Sequence, residues 1–150
     1  MMSFTRKKTI LFAVAFTFAI AIHSTFAVQQ LPNPVLNFVA QEHVGKEGKQ
    51  TIRYKFEVVN KEKYSAEMFA PAPDLPACGA NTKSSRTWVD IYDQRGKRLH
   101  GFCALSKPDD LSKLWFELSG DAVPPSWVYI ELTDRKTNTK YKSNLAETKQ

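Results

Sequence analysis

Residues 51–58 read TIRYKFEV, and this stretch decides the fold class because apolar and polar side chains alternate along it. The apolar set is Ile52, Tyr54, Phe56 and Val58. The set between them is polar: Thr51, Arg53, Lys55 and Glu57. Successive side chains of an extended strand point to opposite faces, so the pattern predicts a β-strand with one buried and one solvated face.

The residues just before this stretch predict a partner strand. Residues 35–44 place Leu36, Phe38 and Ala40 on one face of an extended chain. The glycine-containing segment 45–48 then offers a hairpin turn. We therefore expect these two strands to pair antiparallel.

Further strands are predicted along the rest of the chain. Their ranges are 64–69, 86–93, 98–105, 114–118, 127–133 and 140–145. Three prolines within 70–85 make that segment an irregular loop, and 109–112 suits a helical turn. The sequence therefore predicts an all-β fold, an antiparallel β-sandwich of seven to eight strands.

The leader, residues 1–27, has the layout of a signal peptide. Basic residues at 6–8 precede an apolar run of 13 residues at 10–22, and Thr25 and Ala27 suit the −3 and −1 cleavage positions. About 20 apolar residues are needed to cross a bilayer, so the run is too short for a membrane span. We expect cleavage after Ala27, a single domain over 28–150 with no membrane span, and a periplasmic or secreted location.

Cys78 and Cys103 are the two cysteines of the sequence. In an exported chain an even count without metal-type spacing favours one disulfide, and two buried free thiols are the alternative. A disulfide between Cys78 and Cys103 would close a loop of roughly 25 residues, which stabilises the fold by about 3 kcal/mol in the chain-entropy description.

The charge pattern argues against nucleic acid as a partner. Formal net charge is +6, but three of the 21 basic residues lie in the leader and none of the 15 acidic residues does. The remaining chain keeps 18 basic and 15 acidic residues, a net charge of +3, with no block of five like charges. The sequence contains no H-x-x-H, H-E-x-x-H or EF-hand pattern, so we expect neither metal nor cofactor.

Several segments carry a resemblance to known protein groups. The stretch 128–134, a short turn and 141–144 resembles the last hairpin of fibronectin type III-like and immunoglobulin-like domains. Segments 73–79, 86–93 and 101–105 resemble small exported bacterial proteins of unassigned activity. The resemblance implies a sandwich and an exported location, and it implies no chemistry. Because Cys78 lies in the proline-rich loop, we expect the disulfide to hold that loop rather than to join two sheets.

Alternation also predicts a binding face. If Val89 and Ile91, and likewise Val128, Ile130 and Leu132, face the core, four aromatic residues of the same strands face outward: Trp88, Tyr92, Trp127 and Tyr129. Asp90 and Arg98 are their expected polar partners, with Glu131 and His100 among or near them. Exposed aromatic patches suit protein or glycan ligands. The alternative is that the 70–85 or 106–126 segments cover these rings as a second small core.

We therefore expect a non-catalytic interaction module that recognises protein or glycan at the cell envelope. One alternative is a small secreted enzyme acting on envelope polymers, which would need His100, Asp90 and Glu131 within hydrogen-bond reach. The sequence has no G-x-S-x-G pattern to support a serine nucleophile. A third possibility is an enzyme inhibitor that presents the disulfide-stapled, proline-rich loop as a rigid wedge.

Overall fold

The computed structural model describes residues 31–45, 50–78 and 84–149, and these residues form eight strands. The strands are β1 (Leu36–Val44), β2 (Thr51–Val58), β3 (Thr87–Asp93), β4 (Arg98–Phe102), β5 (Leu114–Ser119), β6 (Trp127–Asp134), β7 (Thr139–Lys142) and β8 (Ala146–Glu147). The predicted signal peptide and the residues 46–49 of the first hairpin turn lie outside the described residues. Within the described ranges, no helix has the length and apolar character needed to cross a membrane.

The strands form two antiparallel sheets, which confirms the predicted all-β, antiparallel architecture. One sheet has the order β1-β2-β5, and the other has the order β4-β3-β6-β7 with β8 also pairing with β6. The predicted hairpin is present, since Val44 pairs with Thr51 at the end of β1 and β2. The turn between β3 and β4 has Gly96 at φ 82°, the left-handed region that favours glycine.

The core lies between the two sheets. Tyr54, Phe56 and Val58 of β2 are buried, as their alternation predicts. Phe116 of β5 stacks on Tyr54 with ring centroids 5.0 Å apart. The facing sheet contributes the buried side chains predicted for it: Val89, Ile91, Val128, Ile130 and Leu132. Two apolar faces are thereby removed from water, which is the main stabilising contribution to such a sandwich.

The prediction that Ala40 shares a face with Leu36 and Phe38 is wrong. Phe38 pairs with Phe56 but Ala40 pairs with Lys55, so the register shifts at Val39. An extra residue in one strand reverses the alternation beyond it. Val39 itself is 43% exposed.

Residues 64–69 do not form the predicted strand. The chain makes two 3-10 turns, Lys61–Lys63 and Ala66–Phe69, and buries Tyr64, Met68 and Phe69. This spacing does not follow a period of two, so a strand cannot bury all three side chains on one face. The helical turn predicted at 109–112 is present as the 3-10 turn Pro108–Ser112.

The predicted final strand, 140–145, is divided into β7 and β8. At the break, the Asn144 side-chain amide accepts a hydrogen bond from the Leu36 N–H (2.8 Å) and donates one to the Leu36 carbonyl (3.0 Å). Asn144 therefore joins the end of the larger sheet to the outer edge of β1. Such side-chain capping satisfies backbone groups that an edge strand otherwise leaves unpaired.

The predicted disulfide between Cys78 and Cys103 is present. The predicted strand 98–105 ends at Phe102, so Cys103 follows β4 directly. Ser84 holds the same loop by accepting a hydrogen bond at its carbonyl from the Ala72 N–H (2.9 Å). The disulfide therefore fastens the proline-rich loop to the end of β4. Residues 79–83 of that loop lie outside the described part of the chain.

Candidate functional site

The outward side of the larger sheet carries the predicted site residues. We call this side the aromatic face, comprising Trp88, Asp90 and Tyr92 of β3, Arg98 of β4, and Trp127, Tyr129 and Glu131 of β6. Residues paired directly across an antiparallel ladder share a face. Asp90 pairs with Glu131, and Tyr92 pairs with Tyr129.

Two ion pairs cross the middle of the aromatic face. Arg98 Nε donates to Asp90 Oδ1 at 2.6 Å, and Lys140 Nζ donates to Glu131 Oε1 at 2.7 Å. The hydrogen bond that Lys140 donates to Glu131 raises the pKa of Lys140. The two neighbouring carboxylates are thus flanked by cations on both sides, which offsets their mutual repulsion. Exposed pairs of this kind contribute little to stability because water screens them, so their main effect is to set the charge pattern.

Gly101 makes the Arg98–Asp90 pair possible. It lies directly opposite Asp90 in the β3–β4 ladder. A Cβ atom at this position would overlap the Arg98 guanidinium and crowd the Asp90 carboxylate. Arg98 therefore reaches Asp90 across the space that the glycine leaves open.

An aromatic and cationic row crosses the same face. The rings of Tyr92 and Tyr129 stack with centroids 5.3 Å apart and an interplanar angle of 17°. Lys142 of β7 places Nζ 4.0 Å from the centroid of Tyr129, a cation–π contact. Burial raises the pKa of Tyr92, and the charges of Asp90 and Glu131 raise it further. Tyr129 is therefore held between Tyr92 on the β3 side and Lys142 on the β7 side.

The two tryptophans occupy opposite ends of the face. The Arg135 guanidinium lies 4.4 Å from the centroid of Trp88, and Trp88 Nε1 donates to the Ser85 carbonyl at 2.9 Å. Trp127 is 39% exposed. Trp88, Tyr92 and Tyr129 are half-buried, so none of the four rings is enclosed in a second core formed by the residues that the structure describes.

His100 does not belong to the aromatic face, contrary to the sequence prediction. It pairs with Ile91, whose side chain faces the core, because the β3–β4 ladder shifts register between Ile91 and Tyr92. Its ring lies 4.3 Å from Trp115 and 4.8 Å from Phe102. Burial, followed by the charge of Arg98, lowers the pKa of His100.

The cluster that an enzyme would need is therefore not assembled from His100, Asp90 and Glu131. Asp90 and Glu131 are cross-strand neighbours, but each carboxylate is bound to its own cation. Across the described ranges, no group of three or more His, Cys, Asp and Glu side chains is arranged to hold a metal ion.

Sequence reasoning missed the cations that cover these rings. Arg135, Lys140 and Lys142 contact the face only because β7 and the turn before it return beside β6. It also missed Trp115 of β5, which lies under the Arg53 guanidinium at 4.7 Å on the smaller sheet. Its position between the buried Leu114 and Phe116 was the available signal for an outward ring.

No protein-family model, curated protein or solved structure matches this chain. Its function is therefore inferred from the geometry of its own residues.

Proposed function

We propose that this protein is an exported, non-catalytic interaction module that docks a protein partner on its aromatic face. The observation that carries the proposal is the gathering of Trp88, Tyr92, Trp127 and Tyr129 on one open sheet face around two ion pairs. Tyrosine, tryptophan and arginine are the residue types that contribute most binding energy at protein interfaces.

The arrangement of the rings favours a protein over a glycan. A sugar stacks on an open ring face, but Tyr129 is covered by Tyr92 and Lys142, and Trp88 is covered by Arg135. Apart from Trp127, which is 39% exposed, the face offers ring edges, hydroxyl groups and charges. Four cations on or over it outnumber the two carboxylates: Arg98, Arg135, Lys140 and Lys142 against Asp90 and Glu131. An acidic protein surface complements this excess of positive charge.

We further propose that the sandwich is of the fibronectin type III-like kind and that residues 1–27 direct its export. Support for the fold type comes from the strand order, with the first, second and fifth strands in one sheet and the fourth, third, sixth and seventh in the other. Support for export comes from the leader sequence and from the disulfide, since such bonds persist in oxidising compartments.

The proposal is tested by measuring the binding of the purified protein to arrays of envelope proteins and of glycans. We expect a protein ligand, and we expect Trp88→Ala and Trp127→Ala each to weaken its binding at least about tenfold, as truncation of interface hot spots does. Trp115→Ala is the matched control, because Trp115 also lies under an arginine but on the other sheet. Equal binding by all variants removes the aromatic face as the site, and binding to glycans alone overturns the choice of a protein partner.

A further inference from the structure

One end of the sandwich has a groove between the two sheets. Its floor is formed by Leu99 of β4 and Leu118 of β5, which are half-buried and pack against the core. Its walls are the β3–β4 turn, residues 93–97, and the linker 123–126 before β6. The groove has a volume of about 400 Å³, enough for a large side chain and part of its backbone.

Two cationic side chains of the β3–β4 turn, Arg95 and Lys97, line the groove. The Asp93 carboxylate accepts hydrogen bonds from the backbone N–H groups of Arg95 (2.8 Å) and Lys97 (2.9 Å). Asp93 is thereby used within the turn. The side chains of Arg95 and Lys97 form no ion pair with any residue that the structure describes.

The linker gives the groove an apolar wall that is held in place. Val123 is 92% exposed and precedes Pro124 and Pro125. Thr148 fixes this segment, since its N–H donates to the Ser126 carbonyl (3.1 Å) and its hydroxyl donates to the Pro125 carbonyl. An exposed apolar wall that is already ordered loses little conformational entropy on binding.

The groove adjoins the aromatic face. The Gln94 N–H donates to the Trp127 carbonyl (3.1 Å), and the Trp127 N–H donates to Gln94 Oε1 (3.2 Å). These bonds connect the turn that carries the two cations to the first residue of β6. A partner lying on the aromatic face can therefore extend a segment into the groove.

A second groove beside Trp115 has a weaker claim to an acidic ligand. Arg53, Lys55 and Lys113 line it, in a volume of about 360 Å³. Two of these cations are already neutralised, since Arg53 pairs with Glu117 (2.6 Å) and Lys55 pairs with Glu42 (2.5 Å).

We propose that the groove between β4 and β5 binds an acidic peptide segment of the partner, with one apolar side chain on the leucine floor and carboxylates beside Arg95 and Lys97. The inference rests on the proposed function in that the protein acts as a binding module, and it adds the chemistry of the partner. The apolar floor selects a side chain such as leucine. The two cations, which have no internal partner in the described chain, select flanking carboxylates.

The test uses the fluorescently labelled pentapeptide Glu-Glu-Leu-Glu-Glu with the purified protein. Fluorescence anisotropy measures affinity, and amide chemical shifts locate the site. We expect shifts at residues 95–97 and 123–126. We also expect at least about fivefold weaker binding when alanine replaces the peptide leucine or lysine replaces its glutamates.

Charge reversal in the protein separates the groove from a general charge effect. The double variant R95E/K97E should weaken peptide binding about tenfold. The matched control is K63E/K136E, which changes the net charge equally at exposed positions on the opposite end of the sandwich, and it should change affinity less than about twofold. Equal losses in the two double variants, or no binding by the unsubstituted protein, overturn the proposal.

Failure of the groove and failure of the aromatic face give different results. Trp88→Ala should leave pentapeptide binding unchanged, because Trp88 lies at the far end of the face, while it weakens binding of the whole partner. If the pentapeptide does not bind but the array ligand still does, the groove assignment is wrong and the aromatic face stands. If Trp88→Ala weakens the pentapeptide as much as R95E/K97E does, the peptide is not in the groove and the inference fails.

Discussion

Asp134, at the end of β6, is a single carboxylate that ties three segments together. Arg86 donates to both of its oxygens, Nε to Oδ1 at 2.8 Å and Nη2 to Oδ2 at 2.6 Å. The Lys136 N–H and the Thr137 hydroxyl each donate to it at 3.0 Å. These hydrogen bonds, chiefly those from Arg86, lower the pKa of Asp134 to about 2.

The buried carboxylate of Asp134 predicts acid sensitivity. Because its pKa is lower in the folded state than its ordinary value of 3.8, the stabilisation is present above about pH 4 and is lost as pH falls towards 2. The expected loss is about 2 kcal/mol. Urea unfolding between pH 2.5 and 6 measures it. Asp134→Asn should be less stable at pH 6 and should show a flatter pH dependence, and an unchanged slope would contradict the assignment.

We expect substitution of Gly101 to weaken binding at the aromatic face more than it lowers the stability of the fold. In Gly101→Ala the new Cβ displaces the Arg98 guanidinium from Asp90. Because the displaced groups are the ends of flexible, partly exposed side chains, we expect stability to fall by less than about 1 kcal/mol. Binding of the array ligand should weaken, and a crystal structure of the variant should show the pair broken. Trp115→Ala, on the smaller sheet, is the control outside the aromatic face, and it should leave binding intact.

At the scale of the elements, side chains connect segments that strand pairing leaves unconnected. β7 and β8 are interrupted at residues 143–145, and there the Asn144 amide forms two hydrogen bonds to Leu36. The disulfide plays a similar part for the proline-rich loop, in which an isolated bridge pairs Pro71 with Ser85.

Removing the Asn144 amide should loosen the edge of the smaller sheet. Asn144→Ala leaves the Leu36 N–H and carbonyl without their partner, so we expect about 1–2 kcal/mol lower stability. Hydrogen exchange at Leu36 should become faster, while exchange at Phe56 in the central strand β2 should change only by the global loss. Unaltered exchange at Leu36 would show that water or another group replaces the amide at no cost.

Removing the disulfide should destabilise the protein without abolishing its fold. The bond closes a loop with a sequence separation of 25, so C78S/C103S is expected to lose about 3 kcal/mol. The sandwich should remain, since neither cysteine lies within a strand and the core is formed by other residues. Far-ultraviolet circular dichroism and urea unfolding of the double variant check both expectations. A single cysteine that reacts with iodoacetamide in the unreduced protein would contradict the pairing itself.

For the whole molecule, two sheets enclose one core, and each sheet leaves an outward face with its own charge pattern. The larger sheet presents aromatic residues and an excess of cations, whereas the smaller sheet presents the paired charges Glu42, Arg53 and Glu117. The two faces therefore differ in the partner that they can accept, which is why variants on one sheet serve as controls for the other.

If the protein is exported, its mature form should have a defined N-terminus and an oxidised cysteine pair. If residues 1–27 are removed, intact-mass measurement of the exported protein should place its N-terminus at or near Val28 and detect no free thiol. Replacing Ala27 with a bulky residue should cause the precursor to accumulate. A mature mass that retains the leader would contradict the assigned cleavage.

Local pattern was enough to predict most of the strands and the residues that the central strands bury. The alternation in 51–58, 86–93 and 127–133 identified the core residues Phe56, Ile91 and Ile130, because side-chain direction in a strand depends only on sequence position. The same rule placed Trp88, Tyr92, Trp127 and Tyr129 outward, and cysteine count predicted the disulfide. It failed at Val39 and at 64–69, where a bulge and two 3-10 turns break the period.

Beyond the predicted β1–β2 hairpin, strand neighbours and register were decided by the tertiary structure. The Arg98–Asp90 pair, the Tyr92–Tyr129–Lys142 row and the groove between Leu99 and Leu118 each join residues from different strands. His100 shows the limit most clearly, because one register shift turned it from the aromatic face to Trp115. Such contacts depend on how the whole chain minimises exposed apolar surface and unpaired backbone groups, and no local stretch of sequence contains that information.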